Sequence, residues 1–311
     1  MLVLSDNTTW AENLVGQKLD WQEISSKNLP QNIEPITERV FGDKIVYVGE
    51  SRNIPEWNVL LAVKSARESN YDSLMQLAQD GQELPDRMLC MADEGDNFHG
   101  FKKRSWAAES GNIHLVAYVK PARRLDHIGV GFTVAGVVSV IDTIDHMSGL
   151  ENQAGIKWIN DILLDGAKVG GVLAGTQVVG DIVEGAVVGI GLNVECTPEI
   201  SPDSFVPKVT SLKDYLEFNY SVSQGEVFRG LASNLYNYIK RYLDGGYDRI
   251  FELYKKRSVI LGREVSLRVD QQEPGAEEII RGKVTKIDSD LGLYFKGRNE
   301  PISNGRLTLD I

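Results

Sequence analysis

Lysine, asparagine, aspartate and glycine crowd one short stretch of the chain. Lys157, Asn160, Asp161 and Lys168 bracket the dipeptide Asp165-Gly166, and Gly170-Gly171 follows at once. Two lysines on paired strands can converge on one anionic group. Adjacent glycines let a ligand approach the backbone where any side chain would block it. An Asn-Asp pair at a strand junction supplies hydrogen bonds and a carboxylate for a cation, so Asp161 is the candidate metal contact. The same charges also suit a solvated hairpin, and spacing alone leaves both readings open. A second constellation is Lys102, Lys103 and Arg104, beside Gly100 and Trp106. Three consecutive positive charges can clamp a phosphate or carboxylate, or simply face water.

Other catalytic signatures are missing. There is no HExxH helix, no GxSxG elbow and no GxxxxGK[ST] phosphate loop. The four histidines, at 99, 114, 127 and 146, lack ligand spacing, and His114 reads as an ordinary strand residue.

These groups need elements to position them. GDKIVYVGE, RMLCMA and NIHLVAYVK read as strands, and GDNFHGFKKRSW as a loop. Ser69 precedes a helix in which Leu74, Leu77 and Ala78 share a face, and Gly81 ends it. Val134, Val137, Val138, Ile141 and Ile144 recur at helical spacing. IKWIN and DILL lead into the Asp165-Gly166 turn, and Asp-Gly suits the left-handed angles of a two-residue hairpin. KVGGVLAGT and EGAVVGIGLNV continue as apolar strands. Ser223 and Glu226 have capping-box spacing ahead of a helix carrying Phe228, Leu231, Leu235, Ile239 and Tyr242, closed by Gly245-Gly246. From about residue 258, short strands alternate with turns.

The expected fold class is α/β (α+β): a mixed β-sheet domain packed with helices, then a small all-β C-terminal module; the resemblance set out below implies that the first is a catalytic domain and the second a β-barrel. The expected domains are an N-terminal extension at 1–44, a catalytic domain at 45–256 and the barrel at 257–311. Residues 1–44 contain the polar stretch SSKNLPQNIEP and show no winged-helix pattern, so they read as a loosely packed arm.

Composition narrows the class. A chain of 311 residues suggests roughly two domains. Its 42% hydrophobic content suits a real core, and its net charge of −11 disfavours nucleic acid as a partner. No apolar run approaches the ~20 residues of a spanning helix, and no secretory signal is visible, so no membrane partner is expected. Two cysteines, Cys90 and Cys196, cannot make a disulfide framework, which favours the cytoplasm.

Several segments together resemble a family. KWINDILLDGAKVGGVL is similar to the KWPND…K-x-GG-[IL]-L signature of biotin protein ligases, and GIGLNV to their G-[IA]-G-x-N motif. SWAAESGNIHLVAYVKP resembles the segment after their biotin-binding loop, and ILGREVSLRV their C-terminal cap. The likeness runs from about residue 45 to the end. It departs at FHGFKKRSW, where the family has GRGRxGRxW, and at Ile159, where the family has proline.

This resemblance implies ATP-dependent formation of biotinyl-5′-AMP, then transfer of biotin to a lysine of a biotin carboxyl carrier domain. ATP, Mg²⁺ and biotin would be the small molecules, and a homodimer is an arrangement open to it. Lys168 matches the lysine that meets the biotin carboxylate and the adenylate phosphate. Lys157, Asn160 and Asp161 match residues near the phosphates and metal, and Asn193 the asparagine that reads adenine. Ser69, Asn70, Gly100, Lys102, Lys103, Arg104, Trp106, Gly170 and Gly171 are the implied substrate-binding set. The resemblance leaves two alternatives: a ligase for lipoate or another acyl group, and a weakened homologue that acts as a binding or interaction protein.

Overall fold

The computed structural model describes residues 1–24, 29–216, 220–270 and 277–309. Residues 25–28 of the polar N-terminal stretch and the last two residues, 310 and 311, of the expected C-terminal module lie outside these.

Ten strands form one mixed sheet. In chain order they are β1 (Leu2–Ser5), β2 (Gln22–Ile24), β3 (Val46–Glu50), β4 (Val59–Ala66), β5 (Met88–Gly95), β6 (Ile113–Val119), β7 (Ala154–Lys157), β8 (Asp161–Leu164), β9 (Ala167–Val179) and β10 (Ile182–Leu192). Their spatial order is β2-β3-β1-β4-β5-β6-β10-β9-β8-β7. The pairs β1–β4 and β4–β5 are parallel, and the others antiparallel.

Central strands are apolar along most of their length because both faces are covered. In β4 and β5, Leu60, Ala62, Leu89 and Met91 face one core, while Leu61, Val63, Cys90 and Ala92 face the other. Helices α1 (Thr8–Val15), α4 (Gly131–Asp145), α6 (Gln224–Leu243) and α7 (Tyr247–Arg257) cover the first face, and α2 (Glu34–Phe41) and α3 (Asn70–Gln79) the second. The short helix α5 (Leu212–Tyr215) precedes α6.

Local signals explain the elements that carry the site. In the β8–β9 hairpin, Asp165 and Gly166 take φ of 45° and 75°, as the Asp-Gly turn requires. Ser223 caps α6 by accepting from the Glu226 amide, and the five expected core residues of that helix are buried. All five expected apolar positions of α4 are buried as well.

The expected N-terminal arm is corrected. β1 lies inside the sheet, antiparallel to β3 and parallel to β4. Asn7 caps α1 by accepting from the Trp10 amide at 3.0 Å, and the Trp10 indole then donates to Gln224 of α6 at 2.8 Å. A four-residue strand is too short to show a period, so its burial between longer strands is visible only in three dimensions.

The C-terminal module is a four-stranded antiparallel sheet among the described residues. It comprises β11 (Glu264–Asp270), β12 (Glu277–Ile287), β13 (Leu293–Phe295) and β14 (Arg306–Leu309), ordered β13-β12-β11-β14. Val265, Leu267 and Leu293 join the same core as α4 and α6. The Trp158 indole donates across the junction to the Leu291 carbonyl at 2.7 Å.

One buried carboxylate ties the layers together. Asp93 on β5, 1% exposed, accepts from Ser110, Gly111, Lys64 and Gln224. Burial alone would raise its pKa, but hydrogen bonds from Lys64, Ser110, Gln224 and the Gly111 amide outweigh it and hold the carboxyl below its ordinary range. The stability this supplies is present above the unfolded value of about 3.9 and is lost as pH falls through the lower folded value. Asp93→Asn is expected to cost about 1–3 kcal/mol at pH 7. It should also flatten the acid limb of a urea-denaturation series, and an unchanged limb would contradict this role.

Candidate active site

A cleft of about 550 Å³ opens on the α3 side of the sheet, against β9 and β10. Its walls come from the loop 96–106, the segment 198–209 and the start of β14.

The floor explains the glycines. Gly171 and Gly175 on β9, and Gly189 and Gly191 on β10, share one face, while Val172, Val188 and Ile190 point into the α4 core. A Cβ at Gly175 would lie 2.5 Å from the Tyr71 phenol oxygen, and one at Gly191 2.5 Å from the Trp106 ring. These positions stay bare so that two aromatic rings can lie on the sheet. At Gly171 the nearest atoms to a Cβ are 3.6 Å away, so this backbone is open to the cleft. Gly170 faces the other way and does not line the cleft. A Cβ there would meet the Gly191 carbonyl oxygen at 2.8 Å, so its constraint is strand packing.

Lys168 stands at the centre of this surface. Its ammonium lies 2.6 Å from Asp161 Oδ1 and 5.9 Å from the Trp106 ring centroid. Both side chains are mostly buried, at 19% and 16% exposed, which strengthens the pairing relative to a surface ion pair. The backbone of Lys168 is pinned as well, donating to Lys208 and accepting from Thr210.

Asn160 donates to the Val172 carbonyl and lines the cleft with Asp161. Asn193, 3% exposed, donates through Nδ2 to Thr210 at 3.0 Å, while its Oδ1 is buried without a partner. A donor from a ligand or a water would satisfy that acceptor.

Lys157 sits apart from the main cleft, in a recess beside it. It is 6% exposed and donates to the Phe205 carbonyl. Burial pushes its pKa down, Asp161 opposes this, and Lys168 and Arg306 push it down further.

The basic loop divides. Gly100 and Arg104 line the cleft with Trp106, and the Gly100 amide donates to the Arg104 carbonyl at 2.7 Å. Lys102 and Lys103 do not line it. Both adopt left-handed φ, at 58° and 57°, and Lys103 stands 3.7 Å from Asp72 on α3. Ser69 lines the cleft, whereas the buried Asn70 is not in its walls.

Four participants escaped the sequence. His114 on β6 lines the cleft and accepts from the Trp106 indole at 3.2 Å through Nδ1, leaving Nε2–H for the Glu109 carbonyl at 3.1 Å. Burial pushes its pKa down to about 4, which keeps the ring neutral. Tyr71 forms the inner wall, with its phenol pushed up to about 12 by burial. His99 fastens the loop to α3 through a 2.6 Å contact with Asp72. Arg306 reaches the cleft from the C-terminal sheet. The histidines had no ligand spacing to mark them, and Arg306 lies far along the chain.

A resident metal ion does not fit this donor set. Among the described residues no three His, Cys, Asp or Glu side chains stand close enough to hold one, and Asp161 is taken by Lys168. Among the described residues, no helix is long and apolar enough to cross a membrane.

Residues 101–193 match the Biotin/lipoate A/B protein ligase family. This stretch, less than a third of the chain, is similar to a biotin/lipoate ligase domain. It contains Lys157, Asn160, Asp161, Lys168 and Asn193, so most of the cleft lies within the matched segment.

Similar proteins include the "Bifunctional ligase/repressor BirA" of Bacillus subtilis, 26% identical over 70% of this chain and 64% of its own length. The chain therefore spans under two thirds of that relative. A "Biotin--[acetyl-CoA-carboxylase] ligase" of Mycobacterium tuberculosis is 26% identical over 87% of this chain and 94% of its own. The fold is also that of a biotin protein ligase from Aquifex aeolicus, solved with biotin and ATP. The match has a TM-score of 0.61 and 18% identity, over 80% of this chain and 97% of that one.

Proposed function

We propose that this chain is a biotin protein ligase. It joins biotin to ATP as biotinyl-5′-AMP and passes the biotin to a lysine of a biotin carboxyl carrier domain. The observation that carries this reading is Lys168, fixed between Asp161 and Trp106 over a glycine floor, inside the matched ligase segment.

The chemistry needs no protein nucleophile. A biotin carboxylate oxygen bonds to the α-phosphorus of ATP while the bond to the bridging oxygen breaks, and that electron pair leaves with pyrophosphate. The carrier lysine amine then attacks the acyl carbon and sheds a proton, and AMP departs. Two anions must meet in the first step, and the Lys168 ammonium offsets their repulsion where charge accumulates. The free Oδ1 of Asn193 is an acceptor suited to the exocyclic amine of adenine. Tyr71, Trp106 and the glycine floor offer an apolar slot for the acyl group. Mg²⁺ would enter with the nucleotide.

We assign the catalytic unit to residues up to about 256, including residues 2–44, and the remaining residues to the C-terminal module. Cys90 and Cys196 are both free, which suits work in a reducing cytoplasm.

Pyrophosphate release with Mg²⁺ and ATP tests the reading. Biotin is expected to stimulate release and lipoate is not. Stimulation by lipoate alone overturns the choice of substrate, and stimulation by neither favours a binding protein.

A further inference from the structure

A side-chain bridge joins two walls of the cleft. The loop 96–106 carries Trp106, and α3 carries Tyr71. His99 Nε2–H donates to Asp72 Oδ2 at 2.6 Å, and Asp72 directly follows Tyr71 in the first turn of α3. The second ring nitrogen lies 3.0 Å from the Gly100 carbonyl oxygen, so the imidazole is held on two sides. The His99 side chain is 13% exposed, which leaves water little access to this charge-assisted contact. Lys103 also approaches Asp72, but at 3.7 Å and 79% exposed it adds little.

The rest of the loop needs such an outside contact. Its base is a short backbone ladder: the Gly95 amide donates to Ala108 at 3.1 Å, the Trp106 amide to Phe98 at 2.9 Å, and the Gly100 amide to Arg104 at 2.7 Å. Phe98 anchors the base in the core on the α3 side of the sheet. Beyond the base, Lys102 and Lys103 turn the chain with left-handed φ, and Phe101 is exposed. A two-stranded ribbon is marginal in water without further packing. Its direction is therefore set by what it is tied to.

The direction matters because of the two rings. Tyr71 rests on Gly175 and Gly189, and Trp106 on Gly191. Gly189 and Gly191 are successive same-face positions of β10, about 7 Å apart along the strand. How far the rings can separate over this floor depends on how the loop is tied to α3.

We propose that the His99–Asp72 bridge sets the width of the acyl slot, and that His99 is a positioning residue for the acid. The inference rests on the ligase reading and deepens it. With the bridge formed, Tyr71 and Trp106 meet the acyl group at a fixed spacing. The loop is ordered before the acid arrives, so binding loses less entropy. Lys168 is anchored separately, through Asp161, Lys208 and Thr210. Loss of the bridge therefore weakens the bound acid and its transition state alike, which raises KM and spares kcat.

Steady-state pyrophosphate release tests this on wild type, His99→Ala, His99→Gln, Asp72→Ala and the double alanine variant. Each single alanine variant is expected to raise the KM for biotin about ten-fold, the effect of one hydrogen bond to a charged group, with kcat little changed. The double variant should raise it no further than either alone. His99→Gln, whose amide can still donate, should retain part of the affinity. A fall in kcat as large as the rise in KM overturns the proposal, as do additive effects in the double variant or wild-type values in both single variants. Amide hydrogen exchange on the free protein follows the bridge without any acid. Exchange at Gly100 and Trp106 should be faster in His99→Ala than in wild type, with α4 and α6 unchanged, and equal exchange at Gly100 overturns the bridge. A wild type that releases no pyrophosphate with biotin, while loop exchange still depends on His99, removes biotin as substrate and leaves the bridge standing.

Discussion

Replacing Lys168 with alanine is expected to slow acyl-adenylate formation by about 10²–10³-fold, the usual cost of removing one placed charge-stabilising donor. The size follows from the site's geometry. Lys168 is the second residue of β9, just after the Asp165-Gly166 turn, and its own amide and carbonyl are tied to Lys208 and Thr210. The ammonium is held 2.6 Å from Asp161 beside the Trp106 ring, so little reorganisation remains when the anions meet. Arginine should not restore the full rate, because a planar fork places its charge differently from a point ammonium. The fold should survive, since Lys168 lies at the cleft surface and outside the apolar clusters. Single-turnover adenylation with circular dichroism as the folding control measures this, and a folded variant at the wild-type rate contradicts it.

Trp57→Ala is expected to cost about 3–5 kcal/mol of stability, as large aromatic truncations in cores do. Trp57 precedes β4, is 1% exposed, and lies edge-on to Tyr236 at 6.2 Å. Its indole donates to the Ala232 carbonyl of α6 at 2.9 Å. It thereby couples the N-terminal half of the sheet to the helix that backs it. Trp57→Phe keeps much of the packing and loses the hydrogen bond, so it should cost less, with about 1 kcal/mol from the bond itself. Urea denaturation compares the two. Equal losses would mean that the hydrogen bond, not the ring volume, sets the cost.

How much of this was legible depended on whether the signal was local. The Asp165-Gly166 turn, the Ser223 cap and the periodic face of α4 are decided within a few residues, and each appears where the sequence puts it. Lys168, Asp161 and Asn193 do line one cleft. The glycines of KVGGVLAGT and GIGLNV were legible as bare positions. Which face they opened was not, because strand register decides that Gly171 sees the cleft and Gly170 does not.

Other elements were hidden for physical reasons. β1 is too short to carry a period, and its place between β3 and β4 is a long-range fact. In α7, Tyr247, Ile250, Phe251 and Tyr254 do have helical spacing, but they sit between a double glycine and a Lys-Lys-Arg run. His114 has nothing in its flanks to mark it, since its role comes from Trp106 folding back onto β6. Lys102 and Lys103 read as a clamp with Arg104, yet their left-handed backbone carries them away from the lining that Arg104 joins. Charge identity was legible there, and direction was not.

The most direct test of the central claim is to look for the intermediate itself. Wild-type protein mixed with Mg²⁺, ATP and biotin, without a carrier, should yield biotinyl-5′-AMP by mass spectrometry after acid quench, and Lys168→Ala should yield far less in the same time. No biotinyl-5′-AMP from the folded wild type, or equal amounts from both proteins, would contradict the account.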